Sequence, residues 1–143
     1  MKQSLLLILA VVFLLIAVAC YNLIGIQSKK NSIKKENLEY ESYLNKEVYG
    51  TDVATIISKA IDQNEKNKIP KDENGLYIEN DSNSVKIDLK MITIDKTYPM
   101  EEIYNSKMVN FVQNFNTIKF KCTSIEYHKK TGKISKLIFE ELE

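Results

Sequence analysis

Val85-Lys86-Ile87-Asp88-Leu89-Lys90-Met91 alternates apolar and charged side chains without interruption. Successive side chains of an extended chain point to opposite faces, so this run predicts a strand with one buried and one wet face. It separates the C-terminal part of the chain from an all-helical fold. Immediately upstream, Asp81, Ser82, Asn83 and Ser84 are turn formers, and Leu76 to Glu79 is the expected partner strand. Lys68 to Gly75, which contains Pro70 and Gly75, reads as a loop.

Further upstream the period changes. Val53, Ile56, Ile57, Ala60 and Ile61 recur at the i, i+3, i+4 spacing that gathers them on one face of a helix. Gly50 breaks the chain before it, Thr51 is the expected N-cap, and Asp52 favours the helix dipole. The helix is expected to fade near Asn64 to Asn67.

Downstream, Pro99 suits the first turn of a helix. Met100, Ile103, Tyr104, Met108, Phe111, Val112 and Phe115 follow at helical spacing, a stripe that reads as core packing. A hairpin closes the chain. Ile118, Phe120 and Cys122 share one face, and the apolar phase then slips to Ile125 and Tyr127, which predicts a bulge near Thr123 and Ser124. Lys129 to Gly132 makes the turn and Ile134 to Phe139 returns. Residues 50–143 are therefore expected to form an α+β domain of two helices and a four-stranded antiparallel sheet.

The other end of the chain has a different character. Lys2 and Lys29 bracket 26 residues without Asp, Glu, Lys, Arg or His, and Ser4 to Ile26 supplies 23 residues of nearly unbroken apolar sequence. About 20 apolar residues suffice to cross a bilayer as a helix, so residues 1–26 read as a transmembrane anchor with the lipid bilayer as partner. Residues 27–49 read as a helical stalk, free of proline and rich in lysine and glutamate as far as Tyr43.

Three readings compete for the apolar segment: an uncleaved signal anchor, a signal peptide cut after Ala17-Val18-Ala19, and a lipoprotein signal whose Cys20 is acylated. Leu23, Ile24, Gly25 and Ile26 continue the apolar run where a cleaved signal ends in polar sequence, which favours the anchor. Ala17-Val18-Ala19-Cys20 resembles a degenerate bacterial lipobox with alanine in place of its usual leucine, so Cys20 is the candidate lipidation site. Sidedness has opposing signals. Lys29, Lys30, Lys34 and Lys35 favour a cytoplasmic domain, whereas a short basic start followed by a long apolar run is the layout of an exported chain. The reading adopted is extracytoplasmic.

Composition narrows the chemistry. All 20 basic residues are lysine, against 19 acids, and only two cysteines, one histidine and four glycines are present. Without arginine the chain lacks the planar fork of bidentate base and phosphate contacts, so no nucleic-acid partner is expected. Cys122 and His128 are the thiol and imidazole beyond the anchor. Six residues apart on one strand they would stand about 20 Å from each other, too far for a dyad. Cys122 is expected in the core and His128 exposed on the hairpin. Asp72, Glu73 and Asn74, or Asp81 and Asn83, offer oxygen ligands, but neither stretch has the EF-hand spacing and turn chemistry accounts for both. Asn80-Asp81-Ser82 matches a glycosylation sequon. No catalytic residue, cofactor or metal site is expected.

A short N-terminus, a long apolar helix running on as a stalk and a small sheet domain resemble type IV pilins and pseudopilins in element order. Those proteins carry a leader ending in glycine and usually a glutamate near the start of the helix, and Ser4 to Ile26 has neither. The chain is also similar to uncharacterised small single-pass membrane proteins of AT-rich bacteria, a likeness of composition and of the run Tyr49-Gly50-Thr51-Asp52-Val53. The expected function is a membrane-tethered, non-catalytic interaction domain, an accessory part of a bacterial envelope assembly whose partner is a membrane or envelope protein. The alternatives are a pseudopilin-like subunit and a lipoprotein that binds a small ligand or envelope polymer.

Overall fold

A computed structural model of the chain describes residues 2–106 and 108–142. It has two compact units, residues 1–35 and residues 36–143. The first is the greater part of α1 (Lys2–Glu41), a single helix with no proline in it. Its apolar side chains from Leu6 to Ile26 are exposed throughout. The helix stops where Ser42, Tyr43 and Leu44 donate back to Leu38, Tyr40 and Glu41 and Asn45 takes a positive φ of 61°. Asparagine tolerates that left-handed conformation better than other side chains bearing a Cβ.

The second unit is α+β. After α1 come β1 (Glu47–Tyr49), α2 (Gly50–Lys66), β2 (Lys86–Met91), β3 (Lys96–Pro99), α3 (Met100–Asn105), α4 (Met108–Phe115), β4 (Lys119–Tyr127) and β5 (Ile134–Glu141). The strands form one five-stranded sheet in the order β1-β4-β5-β2-β3. The β2–β5 pair is parallel and the other three pairs are antiparallel. The expected four-stranded antiparallel sheet is thus corrected to a mixed sheet of five. β1 is three residues long and β3 is Lys-Thr-Tyr-Pro, so neither carries a readable alternation, and each becomes a strand through its pairing. Leu76 to Glu79 is not the partner of β2: Tyr77 bridges only Lys71, and Ile78 donates to the Pro70 carbonyl.

Among the described residues the two expected domain helices become three. The stripe after Pro99 is divided at Ser106, whose amide donates to Glu102 and whose hydroxyl donates to the Ile103 carbonyl. α2 keeps its predicted face, with Val53, Ile56, Ile57, Ala60 and Ile61 all buried, but starts earlier than expected. Its N-cap is Tyr49, and Asp52 in the first turn accepts the Tyr49 amide at 3.2 Å.

Gly50 is fixed by space. A Cβ there would lie 2.0 Å from the Phe115 carbonyl oxygen, so only glycine lets the start of α2 meet the end of α4.

One face of the sheet is buried through Ile87, Leu89, Met91, Phe120, Cys122, Leu137 and Phe139. Phe111 of α4 lies 5.0 Å from Phe115 and 6.5 Å from Phe120, centroid to centroid. The opposite face is a mosaic of charges, with Lys136 2.7 Å from Asp88 and Lys90 3.2 Å from Glu140. The predicted bulge is present, as a register shift between Cys122 and Ser124.

Candidate functional site

Pro99 turns the chain from the edge strand β3 straight into α3, and the break at Ser106 redirects it into α4. A cleft of about 290 Å³ lies between these helices and the β2–β3 end of the sheet. Its floor is Leu89, Met91, Ile103, Phe111 and Phe115, and Tyr98, Glu102, Asn110 and Asn114 add polar atoms. The Lys96 ammonium stands 4.1 Å above the Tyr98 ring and 3.5 Å from the Glu102 carboxylate. Asn110 is anchored by donating to the Ser106 carbonyl at 3.2 Å. Apolar floor and amide rim together suit a peptide segment or a small amphipathic molecule.

A second polar feature is half-buried, and fully buried at Ser84 and Val85. Four consecutive carbonyls each accept from a side chain: Ser82 from Thr131 Oγ1 at 2.7 Å, Asn83 from Asn67 Nδ2 at 3.0 Å, Ser84 from His128 Nε2 at 2.7 Å, and Val85 from Asn64 Nδ2 at 2.7 Å. The amides of Ser82, Asn83 and Ser84 converge on Asn80 Oδ1 at 3.0, 2.8 and 3.1 Å, and the Val85 amide donates to Asn64 Oδ1 at 2.8 Å. A carbonyl only accepts, so His128 carries its proton on Nε2. Asn37 makes a similar clasp on the β4–β5 turn, donating to the Gly132 carbonyl at 2.7 Å and accepting from the Ile134 amide at 3.1 Å.

The residues singled out in the sequence fall in separate places. Cys122 is buried on the core face of β4, and burial pushes its thiol up to about 11. His128 is only 5% exposed, which corrects the expectation of an exposed hairpin residue; its ring is drawn in by the Ser84 carbonyl. Asp72 Oδ1 accepts the amides of Asn74 and Leu76, both at 2.9 Å, so the 72–76 stretch is a carboxylate-closed turn. Asn80 and Asn83 are spent on the 80–84 loop. Among the described residues, no group of three or more His, Cys, Asp or Glu gathers to hold a metal ion. Cys20 lies exposed on α1.

Sequence reasoning missed Asn37 and Asn64. The signal was there, because Asn64 continues the stripe of Ile57, Ala60 and Ile61, and Asn37 sits between Ile33 and Tyr40 at helical spacing. A polar residue on an apolar face is informative when it is asparagine, which carries both a donor and an acceptor.

α1 is long and apolar enough to cross a membrane, the one such helix among the described residues; its candidate span, Leu6–Glu41, has mean hydropathy 2.8 over its most apolar stretch. No protein-family model, curated protein or solved structure matches this chain.

Proposed function

We propose that this chain is a membrane-tethered interaction domain, held in the bilayer by α1 and engaging a membrane or envelope protein through the α3–α4 cleft without catalysing a reaction. The observation that carries the reading is the cleft itself, an apolar floor rimmed by side-chain amides at one end of the sheet. The surroundings of Cys122 and His128 support a non-catalytic role. The thiol is buried and held protonated, and the imidazole is committed to the Ser84 carbonyl.

The exposed apolar surface of α1 from Leu6 to Ile26 supports the tether, and the apolar run past Cys20 supports a protein anchor rather than an acyl one. Cys20→Ala should leave membrane retention and apparent mass unchanged; release of the variant would replace the anchor with a lipid. Sidedness is assigned as extracytoplasmic. Cysteine at Lys130, in a chain lacking Cys20 and Cys122, should then be labelled by an impermeant maleimide on intact cells.

A photo-crosslinking residue at Asn114 should give a discrete adduct in native membranes that a crosslinker at Lys130 does not. Equal adducts at both positions would remove the cleft from the reading. A cleft near 290 Å³ also favours one other occupant, a small ligand, since ligand pockets begin at roughly 300 Å³. In that case Asn114 would give no protein adduct.

A further inference from the structure

The last turns of α1 and the 82–85 segment share no direct hydrogen bond among those described, yet both are gripped by the β4–β5 turn. On one side of that turn, Asn37 holds Gly132 and Ile134, and Lys133 pairs with Glu36 at 2.8 Å. On the other side, Thr131 and His128 donate to the Ser82 and Ser84 carbonyls. Within the turn, the Gly132 amide donates to the His128 carbonyl and the His128 amide donates to the Lys133 carbonyl, both at 2.8 Å.

We propose that the turn from His128 to Ile134 is a coupling node, which carries a displacement of the end of α1 into the Ser82–Val85 segment. The physical basis is polar satisfaction. Asn37, Ser84 and His128 are buried, so at these three members water replaces a lost partner poorly, and one that moves draws its neighbours with it. The segment at the receiving end has all four carbonyls and the Val85 amide tied to side chains of other segments, so it has one tightly held arrangement and a looser one when its donors withdraw. The exposed Asp81 side chain rides on this loop, where a change in order reaches the surface. The node goes beyond the cleft reading and is independent of it.

A competing route runs through α2, because the Tyr40 hydroxyl donates to Gln63 Oε1 at 2.9 Å and Gln63 also meets Glu36. Amide hydrogen exchange of the full chain in detergent micelles separates the two. Asn37→Ala should speed exchange at Ser82, Ser84 and Val85 by about tenfold or more, while the amides of β5 around Leu137 keep their protection. Gln63→Ala, which removes both of these α2 contacts and none of the turn's, should leave Ser82–Val85 unchanged. Asn37→Asp keeps the acceptor for Ile134 but loses the donor and sets a carboxylate against the Gly132 carbonyl, and should give the Asn37→Ala pattern with a factor no smaller. Acceleration confined to Gly132 and Ile134, uniform acceleration in both Asn37 variants, or an effect of Gln63→Ala equal to that of Asn37→Ala would each overturn the node.

Discussion

The side-chain amide of Asn64 pairs with the backbone of Val85 through two hydrogen bonds, donating to its carbonyl at 2.7 Å and accepting its amide at 2.8 Å, with Asn64 0% exposed. It acts as a surrogate strand partner for the residue immediately before β2. Through it, α2 fixes where the long 67–85 connection enters the sheet.

Asn64→Ala should therefore destabilise the fold by about 2–4 kcal/mol, because two buried backbone groups of Val85 lose their partners at once. Asn64→Asp keeps the acceptor but loses the donor and buries a charge, and should be no milder. Chemical denaturation of the full chain in micelles measures both, and a loss below about 0.5 kcal/mol, the range of ordinary surface changes, would contradict the clasp.

Gly50→Ala places a Cβ against the Phe115 carbonyl, where backbone rather than a flexible side-chain end must give way. The expected cost is about 3 kcal/mol or more, at the upper end of single-site effects. Gly25→Ala, with open space around it, serves as the comparison and should leave the melting midpoint where it is.

Ile57 is 0% exposed in the middle of the α2 stripe, and Ile57→Asp buries a carboxylate with no partner. A loss of several kcal/mol, comparable with the whole stability of a small domain, is expected. Lys59 lies on the solvent face in an exposed pair with Glu39, and Lys59→Asp should be tolerated. Equal thermal stability of the two variants would mean that the helix buries another face.

Burial pushes the Cys122 thiol from 9.0 up to about 11, and burial together with the Glu65 and Glu101 carboxylates pushes the Tyr77 phenol from 10.0 up to about 12. Both folded-state values exceed the unfolded ones, so the stabilisation they represent is complete below pH 9.0 and lost as pH rises to about 12. Thermal midpoints should fall across that window, and Cys122→Ala should remove the part of the fall between pH 9.0 and about 11. At neutral pH, Cys122 should react with maleimide only after denaturation; rapid reaction of the native protein would make it a reactive thiol.

Where an element carries its own periodicity, local sequence was sufficient to locate it. The apolar run of α1, the stripe of α2, the alternation of β2, the Cys122–Ser124 bulge and the Gly132 turn are all legible in the amino-acid sequence. Each buries or exposes a face defined by residues a few positions apart, so backbone geometry alone relates pattern to element. The α+β class follows from those elements.

Tertiary structure alone decided the rest. Glu47-Val48-Tyr49 and Lys96-Thr97-Tyr98-Pro99 are strands only because β4 and β2 offer them a hydrogen-bonding edge. The parallel pairing of β2 with β5 joins residues about 50 positions apart, as from Lys86 to Lys136, a separation at which no local pattern acts. The cleft exists because α3 and α4 part at Ser106 above the β2–β3 end of the sheet. His128 and the clasps of Asn37 and Asn64 depend on backbone groups supplied by distant segments, and a polar side chain's partner is set by which unpaired carbonyl or amide the fold brings within reach.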